Sequence, residues 1–147
     1  MASFWYNNAK LILGKADLDF DTAALLNARL LMTNTTADTE LDKVTVAGFT
    51  TLDNYDGSGV TSPVALASGS IAVDNVNNRA EIFAANFSFG TTVGAGTRNA
   101  QGMLICKVVG GTTDIPIAWI DTGGFPFNGN GGAINVTVDA EGLLQIT

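Results

Sequence analysis

Asp121 is the sharpest catalytic candidate in the sequence. It follows an apolar run and precedes Thr122 and Gly123, the order with which aspartic proteases bring two carboxylates together so that they share one proton. A chain that carries a single copy would have to work as a dimer. Because Asp before Thr-Gly is also common turn chemistry, we interpret Asp121 as a turn residue. An aspartic hydrolase is the alternative from a different functional class.

Three aspartates alternate near the start of the chain: Asp17, Asp19 and Asp21. The spacing is that of the first ligands of a calcium loop, but an EF-hand needs Gly at its sixth position and Glu at its twelfth. This chain has Thr22 and Ala28 there, which excludes an EF-hand. On an extended chain the three acids would share a solvated face and Leu18 and Phe20 would face the core. We favour that interpretation, and a calcium-dependent sugar-binding module is the alternative.

Composition and charge exclude several other kinds of site. The 147 residues contain no His and a single Cys106, which rules out histidine-activated nucleophiles, zinc held by histidine and an internal disulfide. The net charge of −7 disfavours binding to nucleic acid, and no apolar run approaches the roughly 20 residues that cross a bilayer. The start lacks a signal-peptide pattern, which with the lone thiol predicts folding in a reducing cytoplasm. We expect no catalytic residue, metal site or cofactor, and no nucleic-acid or membrane partner.

Two groups of aromatic residues stand outside the main apolar runs. Phe4, Trp5 and Tyr6 precede the first predicted strand, in a terminus that would normally fray. Phe125 and Phe127 lie between Gly-rich turns. Large rings in such places either fold back onto the core or insert into a partner, and Trp and Tyr are over-represented at interface hot spots. These five residues are therefore our interface candidates, with the terminal three first.

Short apolar runs separated by Gly, Asn, Asp and Thr dominate the sequence and predict an all-β protein. We expect an antiparallel β-sandwich or a distorted barrel, with residues 1–9 as an N-terminal arm and residues 10–147 as a single β domain. Residues 38–44 begin with a capping residue and carry acids in the first turn, which predicts one short helix there. The expected strands are 10–13, 25–32, 63–67, 70–74, 79–84, 102–109, 115–121, 133–138 and 143–147.

The most apolar of these strands indicates where the core lies. Nearly every residue of 103–109 is apolar, so both faces should be covered, in a central strand or a subunit interface. Trp119 is the expected anchor of the core. Pro116 cannot donate to a ladder, so its end of the strand should lie at a sheet edge.

Seven segments carry a resemblance to a known family, in the same order over most of the chain. They are LGKADLDFDT (13–22), LLNARLLM (25–32), TADTELDKV (36–44), NNRAEI (77–82), AQGMLICK (100–107), IAWID (117–121) and VTVDAEGLL (136–144). Together they resemble a family of small virion proteins that tailed bacteriophages encode close to their capsid genes.

The resemblance implies a structural role without enzymatic activity. It implies a capsid cement or decoration protein that binds the major capsid protein and stabilises the shell as a symmetric oligomer, with a homotrimer expected. The expected location is the capsid of the virion, after assembly in the host cytoplasm. A tail, neck or baseplate component that contacts host glycans is the alternative within the structural class.

Overall fold

Ten short strands and one helix form the regular structure of residues 4–15, 17–20, 25–67 and 69–147, which are the residues that the computed structural model describes. The helix, α1, spans Asn7–Gly14, and 3-10 turns cover Val46–Gly48 and Gly111–Thr113. The strands are β1 (Phe4–Trp5), β2 (Leu26–Met32), β3 (Val64–Ala65), β4 (Ser70–Asp74), β5 (Arg79–Phe83), β6 (Phe87–Ser88), β7 (Ala100–Lys107), β8 (Ile115–Ile120), β9 (Asn135–Val136) and β10 (Leu144–Ile146). They form antiparallel sheets in the orders β1-β8-β7-β2-β3, β10-β5-β4 and β6-β9. The predicted all-β class is confirmed.

The middle of the five-stranded sheet is buried on both faces. All seven residues of β2 are buried, and most of β7 and β8 is buried with them. Strands this apolar need cover from both sides, and the prediction of a central strand is confirmed over Met103–Cys106. Pro116 lies opposite Cys106 next to a shift in register, so the missing N–H falls at an irregularity of the ladder.

Phe4 and Trp5 show how the two larger sheets face each other. Phe4 lies opposite Trp119 and Trp5 opposite Ala118, so the two neighbouring rings point to opposite faces of the sheet. The Trp5 indole Nε1 donates a hydrogen bond of 2.9 Å to the carbonyl oxygen of Gln145 in β10. This bond ties the five-stranded sheet to the three-stranded sheet, and the fold is sandwich-like as predicted.

The helix lies at Asn7–Gly14, so the strand predicted at 10–13 is wrong. Ala9 is fully buried and Ile12 packs against the core, which gives the helix one apolar side. It has no side-chain cap at its start and no acid in its first turn, so the usual sequence signals of a helix start are missing. No helix within the described ranges is long and apolar enough to cross a membrane.

Residues 38–44 form turns, so the helix predicted there is wrong. Thr50 donates to the Glu40 carboxylate through its hydroxyl at 2.5 Å and its backbone N–H at 2.8 Å. These bonds lower the pKa of Glu40 to about 2 and hold the segment against the chain ten residues later. Leu41 and Val44 are exposed, so a helix here would have no apolar face to bury.

Asp114 is a buried carboxylate that joins the start of β8 to β2. Its Oδ2 accepts hydrogen bonds from Asn27 Nδ2 at 2.9 Å and Arg29 Nη2 at 2.8 Å. Its Oδ1 accepts from the backbone N–H groups of Val109 and Gly110, each at 2.9 Å. Burial by itself raises the pKa of Asp114, but these bonds outweigh it and lower the pKa to about 2. The group is therefore charged at neutral pH and acts as a structural ion pair.

Candidate interaction surface

Exposed apolar side chains are concentrated on one hairpin. Seven large apolar side chains are exposed among the described residues, and three of them lie in or beside β4: Ile71, Val73 and Val76. Val73 keeps 73% of its surface exposed and Val76 keeps 90%. The other four are spread over three separate segments: Leu11, Leu41, Val44 and Val109. Single exposed residues are ordinary, whereas a cluster indicates an interaction surface. We call residues 70–83, which are β4, its turn and β5, the exposed hairpin.

The position of β4 in its sheet explains the exposure. In the order β10-β5-β4, the strand β4 forms the outer edge of the described sheet. Ile71 lies opposite Ile82 and Val73 opposite Ala80, so these side chains share one face. Ile82 is fully buried, whereas Ile71 is 41% exposed. The face of the sheet that is buried at Ile82 is therefore exposed to solvent at β4.

The turn of the exposed hairpin is held by Asp74. Its carboxylate accepts hydrogen bonds from the Asn77 side chain at 2.6 Å and from the backbone N–H groups of Val76 and Asn77 at 2.9 and 3.2 Å. These bonds lower the pKa of Asp74, and the bond from the Asn77 side chain has the largest effect. Asn78 has a φ of 53°, in the left-handed region that Asn tolerates. The turn therefore holds the exposed Val76 in a fixed position at the tip.

An acidic cluster with one cation lies on the face of the exposed hairpin opposite to Ile71 and Val73. Arg79 pairs with Asp74 (Nε to Oδ2, 3.1 Å), with Glu81 (Nη2 to Oε1, 2.8 Å) and with Glu141. One oxygen of each carboxylate lies within 4.8 Å of the other two. Carboxylates this close suit a cation, and here the Arg79 guanidinium supplies one. With three carboxylates against one guanidinium, the cluster has a net negative charge.

Tyr6, one of the predicted interface residues, is buried in the chain's own core. Its hydroxyl donates to the carbonyl oxygen of Ala37, and its ring packs edge-on against Phe4 at a centroid distance of 5.3 Å. Burial raises the pKa of the Tyr6 hydroxyl. Phe4 and Trp5 are half-buried. Of the two alternatives for these rings, folding back onto the core is what the structure has, so residues 4–9 do not project as an arm; residues 1–3 lie outside the described part.

Phe125 and Phe127 line an open groove of about 760 Å³. Their ring centroids are 5.3 Å apart, and Phe127 also packs against Tyr55 at 6.3 Å. The backbone of Phe127 exchanges two hydrogen bonds with Ala100, at 2.7 and 3.1 Å. Both rings are half-buried, so they are anchored and still accessible from the groove. Their contact with another molecule stays a prediction.

Asp121, the catalytic candidate, is buried at the end of β8. Its neighbours Ile120 and Thr122 line the groove. Burial raises the pKa of Asp38, and the charge of Asp121 raises it further, so the fold brings a second carboxylate to this end of the strand. No motif or spacing in the sequence predicts that Asp38 and Asp121 lie close together.

Asp17 and Asp19, two of the three alternating aspartates, do not line the groove. Asp17 and Asp19 are exposed while Leu18 and Phe20 are buried, which is the alternation that the sequence predicts. Asp21 lies outside the described residues.

The exposed hairpin is the feature that the sequence analysis misses. Both of its strands are predicted, at 70–74 and 79–84, but their pattern is that of any half-buried hairpin. The available signal is Val76, an apolar residue inside a turn that otherwise consists of Asp and Asn.

Comparisons of the chain with family models, curated proteins and solved structures find no match.

Proposed function

We propose that this chain is a non-enzymatic cement or decoration protein of a phage capsid, which binds the major capsid protein and stabilises the shell as a symmetric homotrimer. The observation that supports the proposal best is the exposed hairpin, where Val73 and Val76 are largely exposed and Ile71 is 41% exposed at the outer edge of the described sheet. Soluble proteins seldom leave such a cluster uncovered unless another molecule binds there. The resemblance to virion proteins supplies the class of partner.

In the proposed mechanism, each bound copy stabilises the shell by burying apolar surface against the capsid protein. Apolar area removed from water contributes roughly 25 cal/mol per Å², from which the entropy and desolvation costs of association are subtracted. A shell presents the same site many times, and a trimer engages several sites at once. A modest interface for each copy therefore gives firm overall attachment through avidity.

Binding of the purified protein to empty shells of the phage that encodes it tests the proposal. Val73→Asp places a charge in the centre of the exposed hairpin and should weaken binding by about tenfold or more. Val44→Asp is the matched control, because Val44 is 59% exposed and lies outside the hairpin; its binding should equal that of the wild type. Circular dichroism establishes that both variants fold. A wild-type protein that binds no shell, or equal binding by the two variants, overturns the proposal.

The native mass in solution tests the oligomeric part separately. Sedimentation equilibrium should give three times the 15.2 kDa of the chain. A monomer at every concentration would remove the trimer from the proposal.

The groove favours a second candidate, a tail, neck or baseplate component that contacts host glycans. Phe125 and Phe127 offer ring faces there, and the exposed amide of Asn130 stands on the same lining. Apolar walls with a few polar groups are typical of ligand sites, and rings beside amides suit the C–H faces and hydroxyls of a sugar. Electron microscopy of particles that carry labelled protein separates the two candidates, because the label lies on the shell in one case and on the tail in the other.

A further inference from the structure

We infer that Asn128 is a site of self-modification. In the reaction, the backbone nitrogen of Gly129 attacks the side-chain amide of Asn128, ammonia leaves, and a succinimide ring forms in the main chain. Water then opens the ring to aspartate or isoaspartate. The inference concerns a loop beside the groove and is independent of the proposed function.

The sequence offers two positions for this reaction. The dipeptide Asn-Gly occurs twice, at Asn128-Gly129 and at Asn130-Gly131. Glycine after asparagine favours the ring closure, because no side chain keeps the backbone nitrogen away from the amide carbon. The sequence therefore treats the two positions as equal, and only their surroundings distinguish them.

Hydrogen-bond donors converge on the side-chain oxygen of Asn128. Its Oδ1 accepts from the Tyr55 hydroxyl at 2.5 Å, from the Gly96 backbone N–H at 2.8 Å and from the Gly129 backbone N–H at 3.0 Å. Attack at Cγ moves negative charge onto this oxygen, and donors that are already in place around it stabilise the transition state. Tyr55 and Gly96 stay in place while Gly129 reacts, so these two groups form an oxyanion hole.

The Tyr55 hydroxyl also contacts the attacking nitrogen. The Gly129 N–H donates to it at 2.7 Å, and Tyr55 is only 2% exposed. Close packing holds Gly129 here, since a Cβ on it would come within 2.3 Å of the Gly94 carbonyl oxygen. Tyr55 can therefore take the proton from the Gly129 nitrogen while it gives its own proton to Oδ1 of Asn128. One hydroxyl acts as general base and general acid, and no net charge is created.

The reaction balances in atoms and electrons. The Gly129 nitrogen forms a bond to Cγ of Asn128, which gives a tetrahedral carbon with a hydroxyl at Oδ1. The hydroxyl proton moves to Nδ2, the Cγ–Nδ2 bond breaks, and ammonia leaves as the Cγ=Oδ1 double bond forms again. One water molecule then hydrolyses the ring, and no atom is oxidised or reduced.

The surroundings of Asn128 also suit the loss of its amide nitrogen. Nδ2 donates one long hydrogen bond, of 3.3 Å, to the Gly96 carbonyl oxygen. Asn128 is exposed, so ammonia can leave into solvent and water can enter. A carboxylate at position 128 would still accept the bonds from Tyr55 and Gly96, and its charge would strengthen them.

Asn130 has the same dipeptide without this arrangement. Its Oδ1 accepts from the Gly132 backbone N–H at 3.1 Å, and no tyrosine hydroxyl bonds to it among the described residues. The Gly131 N–H donates to the Val93 carbonyl oxygen at 2.8 Å, and a carbonyl oxygen cannot relay a proton because it carries none. Asn130 is therefore the slow member of the pair and serves as an internal control.

Peptide mapping by mass spectrometry follows both sites in one sample of the purified protein, incubated near neutral pH. Loss of one ammonia marks the succinimide, and later gain of one water marks the opened ring. We expect Asn128 to react at least about tenfold faster than Asn130 in the folded protein. In concentrated urea the two rates should converge, because the contacts that distinguish the sites are lost.

Tyr55→Phe tests the role of the hydroxyl. The variant keeps the ring that packs against Phe127 and should lower the ratio of the two rates at least about tenfold. Loosening of the loop would instead speed the reaction at Asn130, which the same map measures. Tyr6→Phe is the matched control, because Tyr6 is the other tyrosine of the chain and its hydroxyl donates to Ala37; it should keep the wild-type ratio.

The wild-type protein decides the inference even if Tyr55→Phe does not fold. Asn128 that reacts no faster than Asn130 in the folded protein, including the case in which neither reacts, overturns it. The same rate ratio in buffer and in urea overturns it as well, and so does a folded Tyr55→Phe protein with the wild-type ratio. None of these results bears on shell binding, so the proposed function stands or fails separately.

Discussion

The indole ring of Trp119 in β8 packs over Gly102 of β7, and the glycine makes room for it. A Cβ at position 102 would come within 2.4 Å of Cζ2 of the ring and within 2.8 Å of the Ile120 carbonyl oxygen. Trp119 is fully buried in the five-stranded sheet, so the ring has no solvent to move into. The smallest residue and the largest are therefore matched across two central strands.

Gly102→Ala should destabilise the protein by about 1–3 kcal/mol, because the added methyl overpacks a full core. Thermal and urea unfolding give the free energy of unfolding. Gly14→Ala is the control: a Cβ there meets nothing within 4 Å, and alanine is the better helix former at the end of α1. A Gly102→Ala protein as stable as the wild type would show that the ring can shift without cost.

Asp114→Asn should lower the free energy of unfolding by about 3 kcal/mol at pH 7, because it leaves the buried Arg29 guanidinium without its counter-ion. Urea denaturation of the two proteins measures the difference. A loss well below 1 kcal/mol would mean that the backbone hydrogen bonds to Asp114, which asparagine can still accept, hold this corner by themselves.

The difference between the wild type and Asp114→Asn should depend on pH. Folding lowers the pKa of Asp114 from 3.8 to about 2, so the charged form is favoured in the folded state. Its stabilisation is complete above the unfolded pKa and is lost as pH falls through the folded one. The gap between the two proteins should therefore be constant from pH 7 to about pH 5 and shrink between about pH 4 and about pH 2. A gap that widens in acid would contradict the assignment.

Tyr6→Phe should cost about 1–3 kcal/mol, because the buried carbonyl of Ala37 loses its donor. The Tyr6 pKa is raised by burial, so this hydroxyl stabilises the fold at neutral pH, and the contribution is lost as pH rises above the ordinary tyrosine value. Absorbance of tyrosinate during an alkaline titration should show Tyr6 ionising together with unfolding. Ionisation of both tyrosines in a protein that stays folded would place Tyr6 outside the core.

The sequence identifies the central strands because burial leaves a direct mark on them. The run at 103–109 is apolar enough to require cover on both faces. The strands predicted at 25–32, 102–109 and 115–121 appear as β2, β7 and β8 with ends shifted by two residues at most. Trp119 is likewise buried as expected. In these segments, local composition and tertiary burial agree.

The position of the helix could not be predicted from composition, because tertiary contacts determine where a helix forms in this protein. Asn7–Gly14 lacks a cap and first-turn acids and is held by its packing against β8 and the core. Residues 38–44 have the local signals of a helix start, but Glu40 bonds to Thr50 instead. A distant hydrogen-bond donor in one case and a distant apolar face in the other outweigh propensity.

The interaction surface was predictable only in part. Aromatic residues were the natural candidates, yet Tyr6 lies in the core and Phe127 is tied to Ala100. The exposure of Val73 depends on the place of β4 at the outer edge of its sheet, and strand order leaves no trace in the pattern of one hairpin. Which faces are uncovered is a property of the assembled sheets.

The Asp74 carboxylate accepts three hydrogen bonds from the turn at the tip of the hairpin, and these bonds restrict the conformations of the tip. Little backbone entropy is then left to be lost when another surface closes over Val76. If the tip docks as proposed, no loop has to become ordered first, and the rate of association is set by diffusion and orientation.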